Sequence, residues 1–267
     1  MKKYLFPLPI FIIIICFLYG IIPFSTQPAS CMRIIAHRGD SMNAPENSIP
    51  AVLSAIENEA DCIEIDIRCT ADHTPVVFHD ATLRRMTGIP LSVSELTCQE
   101  FLSYPLTRSK GYSSYPRTTA CTLKDILLVV SGQSGLCLHI ELKSSGIEKQ
   151  VVSLLQKYDS RCSYQISSTD PAVLEKIKDL SPDIHTCLIL KSTTDVINYL
   201  LLSQKNIDAI SVKSCYITSP LVYFAHKRGH KIYAWTVNKA PAARRLSRLK
   251  IDGIITDDPA LLRKMLS

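Results

Sequence analysis

Residues 62–67 read Cys62-Ile63-Glu64-Ile65-Asp66-Ile67. Side chains alternate across a β-strand, so Glu64 and Asp66 share one face and the three isoleucines share the other. Helices would cover the isoleucine face, which turns the acidic face toward the interior of a sheet or barrel. Two neighbouring inward carboxylates are costly unless something positive neutralises them, and a hard divalent cation with oxygen ligands is the natural candidate. The plainer alternative is a pair of solvated acids on an edge strand, which isoleucine at every second position disfavours.

The same device recurs downstream in His139-Ile140-Glu141-Leu142-Lys143. Here His139, Glu141 and Lys143 lie on one face, and Ile140 and Leu142 on the other. A third carboxylate therefore points inward. Lys143, nearer the carboxyl end of the strand, presents an ammonium for an anionic group, or serves only as an ion-pair partner for Glu141. His139 sits deeper and is expected to be a structural histidine satisfied by hydrogen bonds.

From residue 32 onward, short β-branched runs alternate with longer amphipathic segments, the pattern of repeated β-α units around a parallel sheet. The runs are Arg33 to His37, Cys62 to Ile67, Leu136 to Leu142, Ser163 to Ser168, Ile184 to Leu190, Ala209 to Val212, Lys231 to Thr236 and Gly253 to Thr256. Helix boundaries are marked by Asn47 or Ser48 before Pro50, by Thr122 before Leu123-Lys124-Asp125 and by Asp170-Pro171, and Gly229 suits a helix stop. Eight such units close as a barrel or lie open as a doubly wound sheet, and periodicity does not choose between them. The stretch from Ala81 to Cys121 is rich in Ser, Thr, Tyr and Pro, breaks the rhythm, and reads as an insertion after the second unit.

Two histidines follow apolar runs: His37 in His37-Arg38-Gly39 and His79 in Thr74-Pro75-Val76-Val77-Phe78-His79-Asp80. Imidazole titrates near neutral pH, so a pair flanking a phosphorus centre can divide the acid and base work of breaking a P–O bond. Arg38 offers a planar fork of donors to phosphoryl oxygens.

His37-Arg38-Gly39, Pro45-Glu46-Asn47-Ser48, Glu64-Ile65-Asp66, Pro75 to Asp80, Glu141-Leu142-Lys143, Ala234-Trp235-Thr236-Val237-Asn238 and Asp252 to Pro259 resemble, in order, the motifs of glycerophosphodiester phosphodiesterases. The resemblance covers residues 33 to 267. It implies a (β/α)8 TIM barrel with its site at the carboxyl ends of the strands. It further implies Ca2+ or Mg2+ on Glu64, Asp66 and Glu141, acid and base roles for His37 and His79, and phosphate contacts from Arg38 and Lys143. Trp235 would line the glycerol side. The expected substrate is a glycerophosphodiester, cleaved to an alcohol and glycerol 3-phosphate, with a lysolipid as the alternative. One departure is Ala120-Cys121 before Thr122-Leu123, where the family commonly has an apolar residue and proline.

The chain of 267 residues has 46% hydrophobic and 20% charged residues, which excludes global disorder. Its net charge of +6 is spread out rather than gathered into a stripe, so nucleic acid is not an expected partner. Residues 1–31 stand apart: Met1-Lys2-Lys3 precedes an uncharged stretch from Tyr4 to Phe24, long enough to cross a bilayer. The paired lysines predict a cytoplasmic start and an extracytoplasmic catalytic domain at 32–267. Secretion after cleavage near Ala29-Ser30 is the rival expectation. The 10 cysteines include no C-x-x-C pair, and Cys62, Cys137 and Cys187 fall in apolar strand runs, so packing is expected of them.

Overall fold

The computed structural model describes residues 32–158, 162–202 and 206–266; the membrane anchor expected within residues 1–31 lies outside them. In chain order the strands are β1 (Arg33–His37), β2 (Cys62–Cys69), β3 (Pro75–Val77), β4 (Cys121–Thr122), β5 (Cys137–Leu142), β6 (Ser163–Ser168), β7 (His185–Leu190), β8 (Ala209–Lys213), β9 (Lys231–Trp235) and β10 (Gly253–Thr256). β1 pairs in parallel with both β2 and β10, so the row β2-β5-β6-β7-β8-β9-β10 closes on β1. The eight parallel strands form a barrel, which decides the question that periodicity left open.

The remaining two strands, β3 and β4, are antiparallel and lie outside the barrel, β3 against the end of β2 and β4 against β3. At three and two residues they are too short for alternation to show. They tie down both ends of the excursion between β2 and the helix Leu123–Val130, and the Cys121 of the unusual Ala120-Cys121 pair is the β4 residue opposite Val77.

The alternation at 62–67 is realised. Ile63, Ile65 and Ile67 are fully buried between barrel and helices, each worth roughly 1.5–3 kcal/mol of burial. Cys62, Cys137, Cys187, Ile35, Ala209, Tyr233 and Ile255 pack inside the barrel, where small and branched side chains fill the lumen. Among the described residues no two cysteines form a disulfide. Ser48 caps the helix Ile49–Glu57 through Ala51 N, Thr122 and Asp125 form a capping box at Leu123, and Asp170 caps Pro171–Leu180. Gly229, at φ +78°, follows the helix Ser219–Lys227.

The excursion has its own apolar cluster of Val76, Phe78, Leu83, Met86, Phe101 and Leu106, among others. Phe78 and Phe101 meet edge to face at 5.4 Å. Among the described residues, no helix is long and apolar enough to cross a membrane.

Candidate active site

Parallel register brings the acidic residues together. Asp66 on β2 lies opposite Glu141 on β5, and His37 on β1 opposite Glu64. One oxygen from each of Glu64, Asp66 and Glu141 falls within 4.8 Å of the others. Glu64 and Asp66 are buried and Glu141 is half-buried.

Two cations face this trio. Lys143 Nζ lies 2.6 Å from Glu141 Oε1 and 3.1 Å from Asp66 Oδ1. Arg38 Nε lies 3.2 Å from Asp66 Oδ2, an ion-pair distance off the line of a hydrogen bond, while Arg38 Nη1 donates to Glu46 at 2.8 Å. Burial alone would raise Asp66, but the Lys143 and Arg38 charges and the Asn47 amide at 2.9 Å hold it down at about 2. Burial, with the negative charge of Asp66, pushes Glu64 up to about 7. Burial raises Glu141 too, again with Asp66 acting against its ionised form. In so dry a mouth one ammonium and one guanidinium do not offset three carboxylates, and Glu64 and Glu141 titrate above their ordinary range. This oxygen-only donor set fits a hard divalent cation.

The backbone after β1 is shaped for this. Arg38 adopts φ +58°, uncommon for a residue with a side chain, and its N–H donates to Glu64 Oε2 at 2.9 Å. Gly39 follows at φ +78°, and a Cβ there would sit 2.6 Å from the Ala51 carbonyl carbon, so only glycine fits. Asn47, at φ +55°, donates to Asp66 Oδ2 and accepts from Asp66 N at 3.1 Å.

Each histidine is held by an aspartate. His37 Nδ1 is 2.6 Å from Asp257 Oδ1, and Asp257 also accepts from Asn238 Nδ2 at 2.6 Å and Ser41 Oγ at 3.3 Å. His79 Nδ1 is 2.6 Å from Asp80 Oδ1, whose other oxygen accepts from Arg85 Nε at 2.6 Å. These bonds orient both rings and leave Nε2 of each for other work. Burial would lower His37, but the Asp257 bond and the Glu64 charge carry it above its usual value. Burial and the Arg38 and Lys143 charges leave His79 below its own, although Asp66 and Asp80 act the other way.

His37, Arg38, Glu64, His79, Glu141, Lys143 and Trp235 line one cavity of about 170 Å3 at the carboxyl ends of the strands. Asp66 stands behind it, so all the sequence-predicted site residues converge there. His139 lines the cavity; its ring meets the Cys137 thiol, in keeping with a structural histidine, while its Nε2 has no hydrogen-bond partner. Its neighbours in register are Glu64 and Gln165, and neither bonds that nitrogen. Trp235 Nε1 is likewise buried without a partner. Asp257, Asn238, Asn47, Glu46, Asp80 and Arg85 were not singled out from the sequence, although the first five fall inside quoted motifs. A carboxylate next to His79 in the chain was the one visible signal.

Comparison with known proteins agrees with this geometry. The chain is 31% identical over 236 residues to a glycerophosphodiester phosphodiesterase of Caldanaerobacter subterraneus, covering 86% of this chain and 95% of that protein. It is 31% identical over 239 residues to one from Bacillus altitudinis, with 85% and 95% covered. Among solved structures, an Oleispira antarctica phosphodiesterase in complex with the product sn-glycerol-3-phosphate superposes with a TM-score of 0.78 at 25% identity, covering 93% of this chain and 98% of that one. The Glycerophosphoryl diester phosphodiesterase family profile matches residues 37–261. That match takes in both histidines and all three carboxylates, and the chain belongs to this family.

Proposed function

We propose that this protein hydrolyses glycerophosphodiesters to an alcohol and sn-glycerol 3-phosphate, using Ca2+ or Mg2+ held by Glu64, Asp66 and Glu141. The observation that carries this reading is the convergence of three carboxylate oxygens within 4.8 Å, in a cavity that also presents Arg38, Lys143 and two oriented histidines. Such an ion, when bound, withdraws charge from the phosphoryl oxygens and acidifies an attacking hydroxyl.

The chain's own groups do the rest. Arg38 and Lys143 take phosphoryl oxygens as a fork and a point charge. One imidazole accepts the proton of the attacking oxygen at Nε2, and the other gives a proton to the departing alcohol oxygen. Asp257 and Asp80 bond the two rings at Nδ1 and leave these nitrogens for the phosphorus centre. Overall, one P–O bond breaks, one forms, and one water is consumed. Trp235 lines the glycerol side, where the unpartnered Trp235 Nε1 and His139 Nε2 are suited to a polyhydroxyl fragment.

The test is direct: incubate the full chain in mild detergent with glycerophosphocholine and glycerophosphoglycerol, and measure sn-glycerol 3-phosphate. Release with Ca2+ or Mg2+ that stops on adding chelator and returns with excess metal is expected. Release that chelator leaves unchanged would sink the metal assignment, and no release would sink the activity.

We further infer an extracytoplasmic catalytic domain tethered by an N-terminal single-pass helix, supported by the uncharged stretch Tyr4 to Phe24 behind Lys2 and Lys3. An anchored chain stays with membranes through alkaline carbonate extraction, whereas a shortened, released product would establish secretion instead.

A further inference from the structure

A second cavity, of about 290 Å3, adjoins the first and shares His37 and Arg38 with it. Its outer wall comes from the excursion, through Arg85, Arg108, Ser109 and Lys110. Its two carboxylates are already engaged. Glu46 accepts from Arg38 and from both terminal nitrogens of Arg85, at 2.9 and 2.7 Å. Asp257 accepts from His37, Ser41 and Asn238. Arg85 is engaged as well, since its Nε donates to Asp80. Arg108 and Lys110 are different: among the described residues no carboxylate pairs with either, although both line the cavity.

This wall is held in place. Arg108 N donates to Met86 O at 2.9 Å. The Arg108 guanidinium lies beside Gly88, whose φ of +90° favours glycine. Ser109 Oγ accepts from Glu46 N at 3.2 Å. At Gly111, φ +70°, a Cβ would fall 2.6 Å from the Asn43 carbonyl oxygen. Ser109 and Gly111 are thus packed onto the loop that follows His37 and Arg38, and the exposed Arg108 and Lys110 line the second cavity beside them.

A phosphodiester has two arms. In the reading above, the glycerol arm lies with Trp235 in the first cavity, and the departing alcohol lies on the far side of phosphorus from the attacking oxygen. The cavity across His37 and Arg38 offers a space for that alcohol. We propose that this second cavity receives the alcohol arm and favours alcohols bearing a further anionic group, a phosphomonoester or a carboxylate, through Arg108 and Lys110. The proposal rests on the phosphodiesterase reading.

Two matched substrate pairs test it, each differing by one anionic group: glycerophosphoinositol against its 4-phosphate, and glycerophosphoethanolamine against glycerophosphoserine. At low salt, kcat/KM is expected to favour the anionic member of at least one pair by roughly fivefold or more, a modest ratio because the cations are solvent-exposed. The pair that responds identifies the anion. Arg108→Glu/Lys110→Glu is expected to bring that ratio to about one or below, and raising the salt concentration should erode it in the unaltered protein. Equal kcat/KM within both pairs, or a ratio that the double variant leaves in place, overturns the proposal while the phosphodiesterase reading stands. Absence of turnover on glycerophosphoinositol and glycerophosphoethanolamine alike overturns both.

Discussion

Glu64→Gln/Asp66→Asn is expected to lower kcat/KM by about 10³-fold or more, since several kcal/mol of transition-state stabilisation would leave with the ion and each 1.36 kcal/mol is about a factor of ten. Both changes nearly preserve shape, so the protein should remain folded. Steady-state kinetics with a metal titration check this, and activity within tenfold of the unaltered protein would remove these residues from ion binding. The single changes should separate in stability. Glu64 has a folded value of about 7 against an ordinary 4.5. In metal-free protein its contribution is fully present below about 4.5 and is lost as pH rises through 7. Asp66 has the opposite sign: at about 2, its contribution is present above 3.8 and is lost only as pH falls through 2. Metal-free protein should therefore lose stability between pH 4.5 and 7, and Glu64→Gln should flatten that slope. Thermal unfolding across this range, in the presence of chelator, measures it.

His37→Ala or His79→Ala is expected to lower kcat by about 10²–10⁴-fold, the range for loss of a positioned acid or base. Asp257→Asn should fall between these variants and the unaltered protein. The Nδ1 of His37 would meet an amide in place of a carboxylate 2.6 Å away, which weakens orientation without removing the ring. An Asp257→Asn variant with unaltered kcat and pH profile would make that aspartate structural only. Measuring kcat and KM separately matters here, because a merely structural change would not move the pH profile of kcat.

Much of this architecture is legible in local pattern, and for a specific reason. Strict alternation at 62–67 and 139–143 fixes facing, so the inward carboxylates followed from parity alone, as did the isoleucines against the helices. Caps at Ser48, Thr122 and Asp170 were equally local. What local pattern cannot carry is closure: β1 meets β10 across the whole chain, and with it Asp257 meets His37 220 positions away. The partners of Asp66 and Arg38 were hidden in the same way, since Asn47 and Glu46 reach them only because the loop after β1 folds back in a left-handed conformation. For His139, depth and face followed from strand parity, but not that its Nε2 would lack a bonding partner.

The excursion that walls the second cavity folds around Phe78, Phe101, Met86 and their neighbours rather than around the barrel's own interior. Substitutions on its outer loops can therefore accumulate without disturbing the scaffold that carries the carboxylates. If the second cavity receives the alcohol arm, changes at its outer positions would alter which alcohol is accepted while Glu64, Asp66 and Glu141 stay in place on the barrel strands.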